Sequence, residues 1–393
     1  MRVVHLVDGF GGEGGGVVTY LLGLFPALAA AGVSSHVISG QAVSVEVAGA
    51  SCEHVPAIDA DVPTLPAATR LQLAAALRAA APDVCYVHVI CPEVVTLAAA
   101  VAPVVVYAHE YLTVCPGGGR FLTRRRAFCA EGPGLRCAVR AYTERCTNRR
   151  PDRVRNALGR VRAWREAWPD VARVLVASPG VGDILVGSGA PRERVAVVPY
   201  PVASPARPAA PAGGADVLYL GRLTSSKGVD VLLEALALLP GVTAVVAGDG
   251  PDRAELEALA AGLGLGERVR FTGWVDADAA ASLLWSSRVL ALPSLWDEPF
   301  GIVGLEALGA GLPVVGSAVG GIPSWLEDGV TGLLVPPGDA PALAGALRCS
   351  LDGDALARSV AAAAPAVAAR FSRERHLESL LGELRAVVAG RRG

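Results

Sequence analysis

Two carboxylates, two cations and one imidazole carry most of the chemistry this sequence could do. Glu298 and Glu306 stand eight positions apart in residues 292–311, LPSLWDEPFGIVGLEALGAG. If an apolar strand empties there through a short polar loop into a helix, eight positions are about two turns. That spacing puts both carboxylates roughly on one face. Glu298 would sit at the helix mouth and Glu306 inside it. Backbone N–H groups near Gly301 lack partners within the helix and would point at the same space, which suits a phosphate. Two acceptors for sugar hydroxyls beside an anion-binding helix start describe a nucleotide-sugar site. Two solvated acids on an ordinary strand-loop-helix are the alternative.

The cations lie upstream. Residues 221–228 read GRLTSSKG, with Arg222 and Lys227 flanking a turn between strand and helix. Such a turn suits a diphosphate. The chain has 35 basic residues, and Lys227 is the single lysine among them. Where every other cation is Arg, a retained Lys points to a compact ammonium contacting phosphate oxygens. The imidazole, His109, follows the apolar run 104–108. Ligands bind at the carboxyl ends of strands in open α/β sheets, which makes His109-Glu110 a site candidate.

These residues need a scaffold of strands and helices. At 393 residues the chain is long enough for two domains. Apolar residues make up 52%, with Ala and Val dominant, as buried parallel strands and Ala-rich helices require. Runs at 3–7, 36–39, 84–89 and 104–108 alternate with helical stretches at 67–81 and 92–101, which implies a doubly wound parallel sheet. A Pro- and Ala-rich linker, 201–214, follows, and the β/α alternation restarts at Val217. The expected organisation is an N-terminal Rossmann-like domain over 1–200, a second over 215–370, and a closing helix over 371–393. Residues 14–45 carry no formal charge, but Pro26 and several glycines favour a packed helix, turn and strand over a membrane span. Asp8 ends the first apolar run too early for a signal peptide, so a cytoplasmic location is expected. The net charge of -2 argues against general nucleic-acid binding, and the Arg and Ala usage resembles a high-G+C bacterial gene.

Two features resist this scheme. The first is an insertion over 115–165, rich in Gly, Pro and Arg, with Cys115, Cys129, Cys137 and Cys146. Their spacing lacks the close C-x-x-C pairs of zinc ribbons, so a structural zinc site, a disulfide and unrelated thiols all stay open. Its arginines have few acids to balance them. They suit an anionic membrane surface at the inner face, an anionic acceptor or simply water. The second is Asp276-Ala277-Asp278, which resembles a metal-binding D-x-D. It reads better as a helix N-cap and first turn.

Taken together, GRLTSSKG, Gly248-Asp249-Gly250-Pro251, LPSLWDEPFGIVGLEAL, Gly320-Gly321 and GLLVPPGD over 332–339 resemble a family 4 retaining glycosyltransferase of the GT-B superfamily. The resemblance is strongest from Val217 to Asp339 and looser in the N-terminal half. It implies two Rossmann-like doubly wound domains facing a cleft, with the C-terminal helix crossing back to the first. It implies a metal-independent hexosyltransferase moving a sugar from a UDP- or GDP-sugar to a hydroxyl on a glycan, lipid or small natural product. By motif, Arg222 and Lys227 would hold the diphosphate, Glu306 the ribose, and Glu298 the donor sugar. Gly221, Gly250, Phe300, Gly301 and Ile302 would approach the donor, and Trp274 and Val275 would lie beside the base. The loop with Gly12, Gly15 and Gly16 would close over the phosphates, and His109 would face the sugar near the reacting carbon. Two departures stand out: Ser324 where such proteins often carry Glu, and Glu110 where Asp is common.

Two other readings compete. A relative that epimerises or phosphorolyses sugars would want a pyridoxal lysine or several more acids and histidines. A non-catalytic sugar- or partner-binding subunit would not need Arg222, Lys227, Glu298 and Glu306 together.

Overall fold

A computed structural model describes residues 1–9, 16–43, 46–58, 61–132, 134–202, 205–353 and 355–391. Gly12 and Gly15 lie outside the described residues. The strands in chain order are β1 (Arg2–Val7), β2 (Ser34–Ser39), β3 (Ala50–His54), β4 (Val84–Val87), β5 (Val104–Ala108), β6 (Phe121–Leu122), β7 (Ala127–Phe128), β8 (Val171–Val176), β9 (Val195–Val197), β10 (Val217–Leu220), β11 (Ala244–Ala247), β12 (Val269–Gly273), β13 (Val289–Leu292), β14 (Val314–Ser317) and β15 (Gly332–Val335). Contacts divide the chain into two units. The first holds Met1–Arg120, Ala130–Tyr200 and Glu374–Gly393, and the second Phe121–Cys129 and Pro201–Arg373.

The first unit is built on a seven-stranded parallel sheet in the order β3-β2-β1-β4-β5-β8-β9. β4 and β5 are buried along their whole length, which is why they read as unbroken apolar runs. The order reverses between β1 and β4, and such switch points open crevices at the carboxyl ends of strands. Helix Gly16–Ala30 buries Tyr20, Leu21, Leu24, Phe25 and Leu28. Among the described residues, no helix is long and apolar enough to cross a membrane. The closing helix, Arg373–Gly390, belongs almost wholly to this unit. Glu383 pairs with Arg173 at 2.5 Å, and the buried His376 faces the Pro199 carbonyl at 2.6 Å.

The insertion differs from its loop-rich expectation. It contains helices Leu135–Thr143 and Pro151–Ala167. The longer one buries Val154, Ala157, Val161 and Trp164, four apolar residues that the surrounding arginines hid in the sequence. It also buries Arg160, whose guanidinium donates to the carbonyls of Leu112 and Pro116 at 3.1 Å and of Cys115 at 3.4 Å, and pairs with Asp61. Between Arg120 and Ala130 the chain leaves the first unit to give the hairpin β6–β7 to the second. Phe121 joins a core with Leu223, Val229 and Leu232, and Arg126 pairs with the buried Asp230.

The second unit carries a six-stranded parallel sheet, β12-β11-β10-β13-β14-β15. Its switch point lies between β10 and β13. Asp276 caps helix Ala277–Ser286 by accepting from the Ala279 N–H at 2.8 Å, so the D-x-D serves the helix start.

Candidate functional site

In the second unit, the loops leaving β10 and β13 carry the candidate site. The first contains Arg222 and Lys227, the second Glu298. They are stitched together by the Leu295 N–H, which donates to the Ser226 carbonyl at 2.8 Å. Gly228 makes the close approach feasible. Its φ is +69°, and a Cβ there would stand 2.0 Å from the Pro293 carbonyl oxygen. Only glycine meets both conditions cheaply. Gly320 does the same for Glu298, since a Cβ on it would meet the Glu298 backbone oxygen at 2.2 Å. The neighbouring Gly321 N–H donates to that oxygen at 2.7 Å.

The result is a compact charged cluster. Lys227 Nζ donates to Glu298 Oε2 at 2.6 Å. Trp296 Nε1 and Ser294 Oγ donate to the same oxygen at 2.9 and 3.1 Å. The ammonium also lies 5.0 Å from the Trp296 ring centroid, within cation–π range. Glu298 is thus held by three donors from two loops, 71 residues apart in the case of Lys227. Arg222, earlier on the same loop as Lys227, is exposed, and its backbone carbonyl accepts from the Tyr219 hydroxyl at 2.8 Å.

Gly301, at φ +79°, caps helix Ile302–Gly309, so Glu298 lies in the loop at the helix mouth and Glu306 lies inside the helix, as expected. Burial pushes the Glu306 carboxyl up. Phe300 is buried and packs edge-on against Phe371, while its carbonyl accepts from Trp325 Nε1 at 2.6 Å. Gly221 and Gly250 lie where the turn after β11 seats on the loop after β10: the Leu223 N–H donates to the Asp249 carbonyl at 2.9 Å. The Gly250 N–H is taken by the Asp249 carboxylate at 2.7 Å. Trp274 projects from the end of β12 with 77% of its surface exposed, beside the half-buried Val275. An indole left that bare is unusual for a globular fold and suits stacking on a planar group.

The first unit holds a second cluster, at the carboxyl ends of β4 and β5. His109 stacks on Tyr107 at 4.7 Å between ring centroids. Its Nε2 lies 2.8 Å from His88 Nδ1, and its Nδ1 lies 2.5 Å from the Tyr200 hydroxyl. Both ring nitrogens are therefore engaged inside the unit. Burial pushes His109 down to about 3 and His88 well below its ordinary value, so both imidazoles are neutral near pH 7. Neighbouring His376 turns its Nδ1–H to the Pro199 carbonyl, which leaves Nε2 to accept from the Tyr20 hydroxyl at 3.0 Å. A cavity of about 120 Å³, lined in part by Asp8, Val17, Leu21, His88, His109 and Thr113, opens beside these rings. Gly16 begins the helix on the same side and is exposed. His88 and Tyr200 were not singled out from the sequence. His88 had a legible signal, a polar residue inside the apolar run 84–89, whereas Tyr200 had none.

A structural zinc site at Cys115, Cys129, Cys137 and Cys146 finds no support in the fold. Among the described residues, no group of three or more His, Cys, Asp or Glu side chains is placed to hold a metal.

Comparison with known proteins supplies the context. The family model described as Glycosyltransferase Family 4 matches residues 14–203, and that of Glycosyl transferases group 1 matches residues 203–367. The chain is similar to the alpha-D-kanosaminyltransferase of Streptomyces kanamyceticus, with 38% identity over 176 residues, 44% of this chain and 45% of that protein. It is similar also to the D-inositol 3-phosphate glycosyltransferase of Mycobacterium avium, with 40% identity over 182 residues, 44% of this chain and 42% of that protein. The match thus spans less than half the length of these curated relatives. Among solved structures, Anabaena Alr3699/HepE in complex with UDP matches with a TM-score of 0.74 and 20% identity, covering 98% of this chain and 100% of that one. Sucrose-phosphate synthase (tll1590) from Thermosynechococcus elongatus matches with a TM-score of 0.74 and 22% identity, covering 99% and 100%. At such identities the likeness shows the fold, the GT-B arrangement of two Rossmann-like parallel-sheet domains.

Proposed function

The chain belongs to glycosyltransferase family 4, and on that premise we propose that it moves a sugar from a nucleoside-diphosphate sugar to a hydroxyl acceptor with retention of anomeric configuration. The observation that carries this reading is the Lys227–Glu298 contact of 2.6 Å at the switch point of the second sheet, with Arg222 on the same loop. A cation for phosphate and a carboxylate for sugar hydroxyls meet there within one hydrogen bond.

The chemistry follows from the leaving group. The bond from the anomeric carbon to the phosphate oxygen breaks, and a bond to the acceptor oxygen forms on the same face. The acceptor proton passes to the departing phosphate oxygen. Negative charge grows on the diphosphate, and fixed cations stabilise it most when no solvent need reorganise. Lys227 and Arg222 are those cations, with the amides at the start of helix Ile302–Gly309 beside them. A diphosphate would compete with Glu298 for Lys227 and release that carboxylate toward the sugar. Glu306 would take the ribose, Gly221 and Gly250 would back the loop that holds the phosphates, and Trp274 and Val275 would border the base. Both nitrogens of His109 are engaged, so any role at the sugar runs through its ring edge and its neighbours. The positive charge is supplied by side chains and amides, so turnover is expected to persist in EDTA.

The acceptor would be a hydroxyl on a glycan, a lipid or a small natural product, met on the first unit, and the arginine-rich insertion favours one presented at an anionic membrane face. UDP-sugars head the donor panel because HepE holds UDP, followed by GDP-sugars. Transfer and donor-hydrolysis assays over that panel test the proposal. At least one donor should turn over, and Glu298→Ala should abolish most of that activity. If no donor is bound or turned over, the enzymatic reading fails and a sugar- or partner-binding subunit takes its place.

A further inference from the structure

We infer that the helix Leu135–Thr143 in the first unit is a docking element for an anionic lipid surface. This helix of nine residues shows its apolar side chains to water. Leu135 is 93% exposed, Val139 62% and Tyr142 47%. Their spacing of four and then three sets them in one row along one face. Only Ala141 of the helix is buried, so the fold uses its small side and leaves its large apolar side out.

The surroundings of the row name the partner. From Ala130 to Arg165 the chain carries three acids and ten arginines, and with the buried Arg160 set aside nine arginines leave a surplus of six, although the whole chain has a net charge of -2. Arg145, Arg149, Arg150 and Arg153 follow the helix and are exposed. Arg136 and Arg140 lie on the helix itself and share Glu131 at 3.4 and 2.8 Å. An apolar row beside a cationic belt is the pattern of a helix lying in a membrane interface, with the row among acyl chains and the belt on anionic headgroups. A polyanion such as nucleic acid would use the arginines but gives three protruding apolar side chains nothing to enter. An acidic protein would need a groove matched to the row, whereas a bilayer needs none.

This rests on the proposed transfer reaction only for its consequence, an acceptor met at a membrane. The docking itself stands apart from catalysis. The test is co-sedimentation of the full chain with vesicles of mixed phosphatidylglycerol and phosphatidylcholine, and with vesicles of phosphatidylcholine alone. Binding is expected to the anionic vesicles and to weaken with added salt. The triple substitution Leu135→Ser, Val139→Ser, Tyr142→Ser should lower it by about tenfold or more. These side chains are exposed, so the variant should melt with wild type and hydrolyse donor at the wild-type rate. Replacing Arg149 and Arg150 by Gln should weaken binding and flatten its salt dependence. Absence of binding to either vesicle, equal binding to both, or unchanged binding by the triple variant each overturns the inference. Donor hydrolysis absent from wild type and variant alike would remove the transferase reading and leave the docking result intact.

Discussion

Removing the ammonium of Lys227 should cost far more in turnover than in stability. In the fold, Lys227 is one of three donors to Glu298 Oε2, and Ser294 and Trp296 remain when it goes. The lysine and glutamate side chains are 25% and 11% exposed, so solvent weakens the pair in part. Lys227→Ala should therefore destabilise the second unit by only about 1 kcal/mol. Catalysis is another matter. Unit charges about 4 Å apart at an effective dielectric constant of about 20 interact by about 4 kcal/mol. Glu298 already neutralises part of the ammonium, so about 2 to 3 kcal/mol remains for the charge that grows on the leaving diphosphate. That corresponds to a fall of about a hundredfold in kcat/KM. Lys227→Arg should recover little, because the Trp296 ring at 5.0 Å and the Glu298 carboxylate crowd a planar fork. The assay is kcat/KM with the best donor of the panel, with nucleotide affinity measured separately by calorimetry. A kcat/KM within about threefold of wild type would refute the diphosphate role, and so would a loss of activity that only tracks a loss of folded protein.

Two further outcomes follow from buried ionisable side chains in the first unit. His5, His88, His109 and His376 are held below their ordinary value chiefly by burial, His5 and His109 down to about 3 and His376 to about 4. The unfolded chain therefore takes up protons first, so stability is full above about pH 7 and is lost as pH falls through 6.5 toward 4. Each histidine should contribute about 1 kcal/mol of loss between pH 7 and 5.5, seen as a lower urea midpoint, and equal midpoints at the two pH values would contradict it. Arg160→Met should destabilise the first unit by about 3 kcal/mol, because the carbonyls of Leu112, Cys115 and Pro116 lose their donor inside the fold. A change below about 1 kcal/mol in equilibrium denaturation would mean that water replaces the guanidinium there.

What could be read in the chain divides along a physical line, between what is local and what is brought together by packing. Buried parallel strands such as Val104–Ala108 and Val289–Leu292 are apolar throughout, so their position and the restart of the alternation at Val217 show in one dimension. Lys227 stood out for a compositional reason, as the single lysine. Its contact with Glu298 could not stand out, because it depends on Gly228 and Gly320 letting backbones approach where no periodicity records the distance. The placement of Glu298 at a helix mouth and Glu306 inside the helix was legible because Gly301, whose left-handed conformation starts the helix, stands between them. The insertion misled. Helix Pro151–Ala167 buries a stripe of Val154, Ala157, Val161 and Trp164, yet five arginines among 151–167 mask it. Arg160 inverts the rule that arginines mark the surface, since it lies at the centre of that buried face and binds three carbonyls. Helix Leu135–Thr143 inverts the rule again, since its large apolar residues are the ones exposed. One physical cause joins these two failures. A chain that draws nearly all of its positive charge from arginine must use one side chain both for structural hydrogen bonding and for surface charge. Composition alone cannot separate those uses, and burial can.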